Sequence, residues 1–240
     1  MKTMICLILD RSGSMAGREA DVIGGVNTFL DEQKKLPDPA SIAMVRFDSG
    51  GVERFRPMQA LAEAQHITAE DYQPRGGTPL LDAIGKTLAE LENDWKAEQP
   101  ERAILVIVTD GQENESREYS KKQIKEMIES RQASGKWAIV YLAANVDAFA
   151  EAGSLGVSML NTGGYVNSAK GTKTMYGFMA DSVTQMRATG STVAHNLGRN
   201  IGEDDDPLAQ PAQAPVPPQA KAPAPTWAAP KAAGPWTPPQ

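Results

Sequence analysis

The sequence is poor in the residues that hold soft metals or form disulfides. It contains one cysteine and two histidines in 240 residues. A single cysteine excludes an intrachain disulfide, and Cys6 lies within an apolar run, where a small core residue is expected. So few sulfur and nitrogen ligands disfavour a zinc or copper site. Basic residues are not in excess either, because the formal net charge is −6, which argues against nucleic acid as the main partner.

Long apolar stretches are also missing. No run approaches the roughly 20 residues that a membrane-spanning helix needs. The first apolar run, residues 4–9, begins so close to Met1 that no signal peptide is expected. Without disulfides, a leader or a membrane segment, the sequence predicts a cytoplasmic protein with no membrane association.

The apolar runs that are present alternate with amphipathic segments. Residues 4–9 and 104–109 are short and rich in β-branched side chains, which is typical of strands buried on both faces. This alternation predicts an α/β fold with a Rossmann-like, doubly wound and mostly parallel sheet. Strands are predicted at 3–9, 41–47, 52–56, 102–109, 137–142 and 157–160, with 52–56 as an antiparallel edge strand after the turn at 48–51. Helices are predicted at 18–35, from Pro79 onward, and at 120–132, 147–152 and 174–187.

The composition changes toward the C-terminus. We assign residues 1–187 to one folded domain, leave 188–202 unassigned, and predict that 203–240 is a disordered tail rich in Pro and Ala. Trp227 and Trp236 are unusual in such a tail. They are either anchors for a partner or incidental residues.

Five oxygen-bearing residues follow the predicted strands or open a helix. They are Asp10, Ser12, Ser14, Thr78 and Asp110. Because the carboxyl ends of parallel strands meet at one edge, these side chains are expected to converge there. Hydroxyl and carboxylate oxygens suit Mg²⁺, Mn²⁺ or Ca²⁺. Only two of the five are charged, so a bound ion would stay electrophilic and attract a partner's carboxylate. The alternative is structural, because such residues also serve turns, and Thr78 stands where it can cap a helix.

The order Asp10-Arg11-Ser12-Gly13-Ser14, then Thr78, then Asp110 resembles the metal-ion-dependent adhesion site of von Willebrand factor A (vWA) domains. The resemblance covers roughly residues 1–187. It implies that Ser12, Ser14 and Thr78 contact the metal directly, that the two aspartates act through water, and that an acidic residue of a partner completes the site. It also implies a stand-alone vWA protein of a bacterium or a phage, which for a phage means the host cytoplasm or the virion. In such systems the partner is often a MoxR-type AAA+ ATPase or another component of a metal or stress-response complex.

Three functions follow from this pattern. A metal-dependent protein-binding module is favoured, and Asp10→Ala or Asp110→Ala is then expected to leave the fold intact and abolish partner capture. A structural or assembly protein that uses the same fold is the alternative. A Mg²⁺-dependent phosphohydrolase is disfavoured, because that chemistry needs a carboxylate where Ser12 stands. We therefore predict that the protein is not an enzyme.

Charged residues flank the predicted site. Arg11, Arg18 and Arg75 can steer an acidic partner toward the ion, or they are solvated loop charges, which is the interpretation favoured for Arg18. Glu113 and Glu115 either line the opposite rim or are simply exposed.

Overall fold

Seven strands form one sheet in the computed structural model, which describes residues 1–144 and 147–207. The sheet order is β3-β2-β1-β4-β5-β6-β7, and every neighbouring pair is parallel except β2 and β3. This arrangement confirms the predicted doubly wound sheet with one antiparallel edge strand. The strands are β1 (Thr3–Asp10), β2 (Ala40–Asp48), β3 (Gly51–Ala60), β4 (Arg102–Thr109), β5 (Trp137–Ala144), β6 (Thr162–Tyr165) and β7 (Arg199–Ile201).

Five helices cover the two faces of the sheet in the described part of the chain. Each of them is too short or too polar to cross a bilayer. The helices are α1 (Glu19–Lys34), α2 (Leu80–Glu98), α3 (Lys121–Ala133), α4 (Ala148–Ser154) and α5 (Ala169–Thr189).

Alternate residues of β1 belong to two separate hydrophobic clusters. Leu7 packs in the cluster that contains Phe29 of α1 and Met179 of α5. Cys6 packs on the other face, in the cluster that contains Ile84 of α2. Burial raises the pKa of the Cys6 thiol to about 12, as expected for a core residue without thiolate chemistry. The strand is therefore buried on both faces, which explains its unbroken apolar sequence.

The helices that follow β1 and β3 lie on opposite faces of the sheet. The order in which strands are added therefore reverses at the centre of the sheet, beside β1. From β1 the chain crosses through α1 to β2, whereas from β3 it crosses through α2 to β4, on the other side of β1. The crevice between the carboxyl ends of β1 and β4 is thus a topological switch point. Ligands of open α/β sheets bind in such crevices.

One predicted strand is wrong in position. Residues 157–160 do not form a strand; a short 3₁₀ turn, Met159–Asn161, precedes β6. The pair Gly163-Gly164, which is typical of a loop in the sequence, lies inside β6. A Cβ on Gly163 would come within 2.9 Å of the Leu142 side chain, and one on Gly164 within 2.3 Å of Asn200. Close approach of neighbouring side chains therefore explains glycine in this strand.

Residues 188–202, left unassigned from the sequence, complete the sheet. The Asn161 side chain donates to the Thr192 carbonyl at 2.9 Å and accepts from the Ala194 N–H at 2.8 Å, and β7 then pairs with β6. The first residues of the predicted tail also make contacts, since Thr174 Oγ1 donates to the Glu203 carbonyl at 3.0 Å. The rest of the predicted tail, with Trp227 and Trp236, lies outside the described residues.

The contact between α1 and α5 depends on a glycine. An ideal Cβ on Gly25 would lie 2.2 Å from the buried Tyr176 ring, whereas one on Gly24 would meet nothing within 4 Å. We expect Gly25→Ala to lower the free energy of unfolding by about 1–3 kcal/mol through overpacking. Gly24→Ala, on the same helix, should raise it by roughly 0.5–1 kcal/mol through helix propensity. Urea unfolding of both variants measures this, and equal effects would contradict the packing argument.

Candidate metal centre

Three loops meet at the switch point and are hydrogen-bonded to one another in pairs. We call residues 11–15 the first loop, 75–79 the second and 110–116 the third. Between the first and second loops, the Gly13 N–H donates to the Gly76 carbonyl at 2.9 Å. Between the second and third, the Asn114 N–H donates to the Thr78 carbonyl at 3.2 Å. Between the first and third, a serine hydroxyl bonds an aspartate, so the loops form one closed assembly.

A chain of hydrogen bonds runs through that serine. Ser14 Oγ donates to Asp110 Oδ1 at 2.7 Å, and Ser12 Oγ lies 3.0 Å from Ser14 Oγ. Because a hydroxyl has one proton, Ser12 is the donor to Ser14. Each serine oxygen keeps a lone pair that can bind a cation. Three of the five predicted residues are therefore in direct contact.

Thr78 places a fourth oxygen on the same side. A Cβ built on Gly111 would lie 3.0 Å from Thr78 Oγ1 and 3.4 Å from Ser14 Oγ, so both hydroxyls border the space beside this glycine. Thr78 is buried, yet its hydroxyl has no hydrogen-bond partner among residues 1–144 and 147–207. The alternative of a helix cap is wrong, because α2 begins after Pro79 without a side-chain cap.

Asp10 is almost completely enclosed. Its Oδ1 accepts from the Ser12 N–H at 2.7 Å, and its Oδ2 accepts from Thr109 Oγ1 at 2.6 Å. Burial raises the pKa of the Asp10 carboxyl, and the hydrogen bonds from Thr109 and Ser12 offset only part of that rise. An ionised Asp10 is thus costly to bury unless a positive charge lies nearby. Tyr72, which the sequence did not single out, donates to the Asp10 carbonyl at 2.5 Å.

Two of the three flanking arginines are buried, which contradicts the prediction that Arg18 is a solvated loop charge. Arg18 forms an ion pair with Asp110, and its Nη2 also donates to the Ser14 carbonyl at 2.6 Å. Arg11 pairs with the buried Asp48 at 2.5 Å. Only Arg75 exposes most of its side chain, while its Nε still reaches Asp48 at 3.2 Å. Asp48 therefore ties the first and second loops together.

The third loop is fixed by residues that bind backbone groups. Asn114 Oδ1 accepts from the Thr78 N–H at 2.8 Å, and Glu113 Oε2 accepts from the Leu81 N–H at 2.9 Å. Asp82 accepts from three N–H groups of residues 117–119. Burial alone would raise the pKa of Asp82, but these three bonds outweigh it and hold the pKa below its ordinary value. Glu113 is thus a helix-capping residue, while Glu115 is exposed and accepts from Ser49.

The residues present fit a hard divalent cation. The set contains carboxylate and hydroxyl oxygens, and the Thr78 hydroxyl has no other described partner. No group of three or more His, Cys, Asp or Glu side chains clusters anywhere in the described residues. A site for Mg²⁺, Mn²⁺ or Ca²⁺ at this edge would therefore depend on hydroxyl ligands, and Thr109, Tyr72 and Asn114 would position them.

This geometry defines a class of protein, namely a Rossmann-like α/β domain with side-chain oxygens gathered at its topological switch point. Residues 5–112 match the family described as von Willebrand factor type A domain. No curated protein sequence gives a significant match. The SpRpn10 VWA domain superposes with a TM-score of 0.54 at 11% identity, over 72% of this chain and 92% of that one. Residues 5–112 therefore belong to a vWA domain.

A second solved structure has the same fold within a much longer chain. The pilus adhesin SpaC from Lactobacillus rhamnosus GG, in its open conformation, superposes with a TM-score of 0.59 at 15% identity. The match covers 75% of this chain but only 30% of the adhesin. At such identities the likeness concerns the fold alone.

Proposed function

We propose that this vWA domain is a divalent-metal-dependent protein-binding module. Ser12, Ser14 and Thr78 would hold Mg²⁺, or Mn²⁺ or Ca²⁺, directly, and Asp10 and Asp110 would act through water. The observation that supports the proposal is one chain of hydrogen-bonded site residues, namely Asp10, Ser12, Ser14 and Asp110. Thr78 Oγ1 borders the same space, because it lies beside Gly111 together with Ser14 Oγ. The bound ion would supply a Lewis-acidic position for a partner's Asp or Glu carboxylate.

The resemblance to stand-alone vWA proteins also suggests a binding partner and a cellular location. A MoxR-type AAA+ ATPase in the cytoplasm, or a bacterial or phage assembly that uses the same fold, stays a prediction from the sequence. Hydrolysis is the weaker proposal, because Ser12 donates to Ser14 where a phosphohydrolase needs a second carboxylate. Turnover of p-nitrophenyl phosphate with Mg²⁺, lost in Asp10→Asn, would favour it.

Capture of a partner by the immobilised full chain tests the binding proposal. Retention in Mg²⁺ and release by a chelator are expected, together with one metal ion bound per chain by calorimetry. Gly111→Ala should weaken both, because its methyl group would lie 3.0 Å from Thr78 Oγ1 and force that hydroxyl to shift. Gly153→Ala is the matched control, since its Cβ would meet nothing within 4 Å. Equal capture in chelator would contradict a metal-dependent module. Equal metal binding by Gly111→Ala would contradict the placement of the ion beside this glycine.

A further inference from the structure

Arg18 occupies an unusual place for a charged residue beside a cation site. It lies at the start of α1, and its guanidinium contacts both the first and the third loop through the Ser14 carbonyl and Asp110 Oδ2. The side chains of this ion pair are 8% and 1% exposed. Solvent therefore screens the pair only weakly, and the charge of Arg18 acts directly on the space between the loops.

The charge balance of the site changes when Arg18 is included. Asp10 and Asp110 carry two negative charges, and Arg18, which stays protonated in proteins, cancels one of them. Asp110 keeps its second oxygen toward the site, where it accepts from Ser14 Oγ at 2.7 Å. A divalent ion would thus enter a group with one net negative charge and leave it with one net positive charge. Without Arg18, the loaded site would be neutral.

We propose that Arg18 determines the specificity of this site by weakening cation binding and strengthening the binding of an anionic sixth ligand, a carboxylate. The inference rests on the proposed function and assigns Arg18 a role that none of the five oxygen donors has. Arg18 would contact neither the metal ion nor the carboxylate; it acts through its ion pair with Asp110 and through its charge. It is therefore a positioning and electrostatic residue.

A purely structural role for Arg18 predicts a different outcome. If the ion pair only held α1 against the third loop, its loss would disorder the site, and both cation and carboxylate would bind more weakly. The electrostatic role predicts changes of opposite sign. Removing the positive charge should tighten the cation and loosen the carboxylate, while Arg18→Lys, which keeps the charge, should restore behaviour close to that of the wild type.

The full chain and Arg18→Gln are compared with two probes. Free Mn²⁺ is counted by electron paramagnetic resonance, and acetate binding to the Mn²⁺-loaded chain is followed by the loss of Mn²⁺-bound water in proton relaxation. We expect Arg18→Gln to bind Mn²⁺ about tenfold more tightly and acetate about tenfold more weakly than the wild type. The reason is the loss of one unit charge a few ångströms from the ion. Arg54→Gln is the matched control, because it also breaks a partly buried ion pair, with Asp94, but belongs to β3 and lies outside the three loops.

The outcomes separate this inference from the proposed function. A wild-type chain that binds no Mn²⁺ overturns both. A wild-type chain that binds Mn²⁺, together with Arg18→Gln that binds it equally or more weakly, overturns only the role of Arg18. Should Arg18→Gln not fold, Asp110→Asn is compared with Arg18→Gln/Asp110→Asn, in which both charges of the pair are gone. The double variant should bind Mn²⁺ more tightly than Asp110→Asn, and weaker binding overturns the inference.

Discussion

Replacing Asp110 by alanine is expected to lower the free energy of unfolding by about 3–5 kcal/mol in metal-free solution, because it leaves the guanidinium of Arg18 buried without its partner. This revises the sequence-based expectation that the fold is indifferent to Asp110. Loss of metal binding in this variant would therefore mix two causes. Urea unfolding in the presence of a chelator measures the stability effect by itself.

The double variant Arg18→Met/Asp110→Ala provides the internal control. It removes both charges, and a buried ion pair replaced by apolar groups is often neutral in stability. Most of the lost stability should therefore return. Glu32→Ala breaks an exposed ion pair with Lys35 and should cost less than about 1 kcal/mol. An Asp110→Ala variant as stable as Glu32→Ala would show that the buried pair does not contribute as described.

Thr78→Ala is expected to weaken Mn²⁺ binding about 100-fold or more, since even second-shell partners are worth about 10–100-fold in metal affinity. The fold should change little, within about 1 kcal/mol, because the Thr78 hydroxyl has no hydrogen-bond partner in the described chain. Thr78→Ala is thus the cleaner probe of the site than Asp110→Ala. Calorimetry measures the Mn²⁺ affinity, and urea unfolding in chelator measures the free energy of unfolding.

Thr87→Ala is the matched control for this substitution. Thr87 lies farther along α2 and, like Thr78, is 2% exposed. Its hydroxyl also has no hydrogen-bond partner within the described ranges. Its loss should leave Mn²⁺ affinity unchanged. If Thr78→Ala and Thr87→Ala bind Mn²⁺ equally well, Thr78 is not a ligand.

Much of the fold was predictable because its signals are local. The run at residues 4–9 is apolar at every position, and only a strand covered on both faces buries all of it. The turn before Gly51 indicates a hairpin, and the structure has the antiparallel pair β2–β3 there. The strand β6 escaped prediction because two of its four residues are glycines, whose presence depends on neighbours in other strands.

The proposed ligands follow from short spacings in the sequence, whereas the residues that support them do not. Asp10 ends β1, and Ser12 and Ser14 follow it in the first loop, so their short spacing after a strand is visible in the sequence. The burial of Arg18 was not, because its partner Asp110 is 92 positions away and an arginine after a loop usually faces solvent. Asn114 escaped for the same reason, since it reaches Thr78 across 36 positions. Long-range pairing of charged and polar groups leaves no local pattern.

The pairwise hydrogen bonds among the three loops have a thermodynamic consequence. Conformational entropy for ordering these loops is lost when the chain folds, since the bonds that order them join protein groups to one another. Association with a ligand then spends little further free energy on rigidifying the protein. Such a preorganised receptor should show little conformational reorganisation when metal binding is followed by calorimetry. Its three loops should have equal amide hydrogen-exchange protection before and after the metal is added.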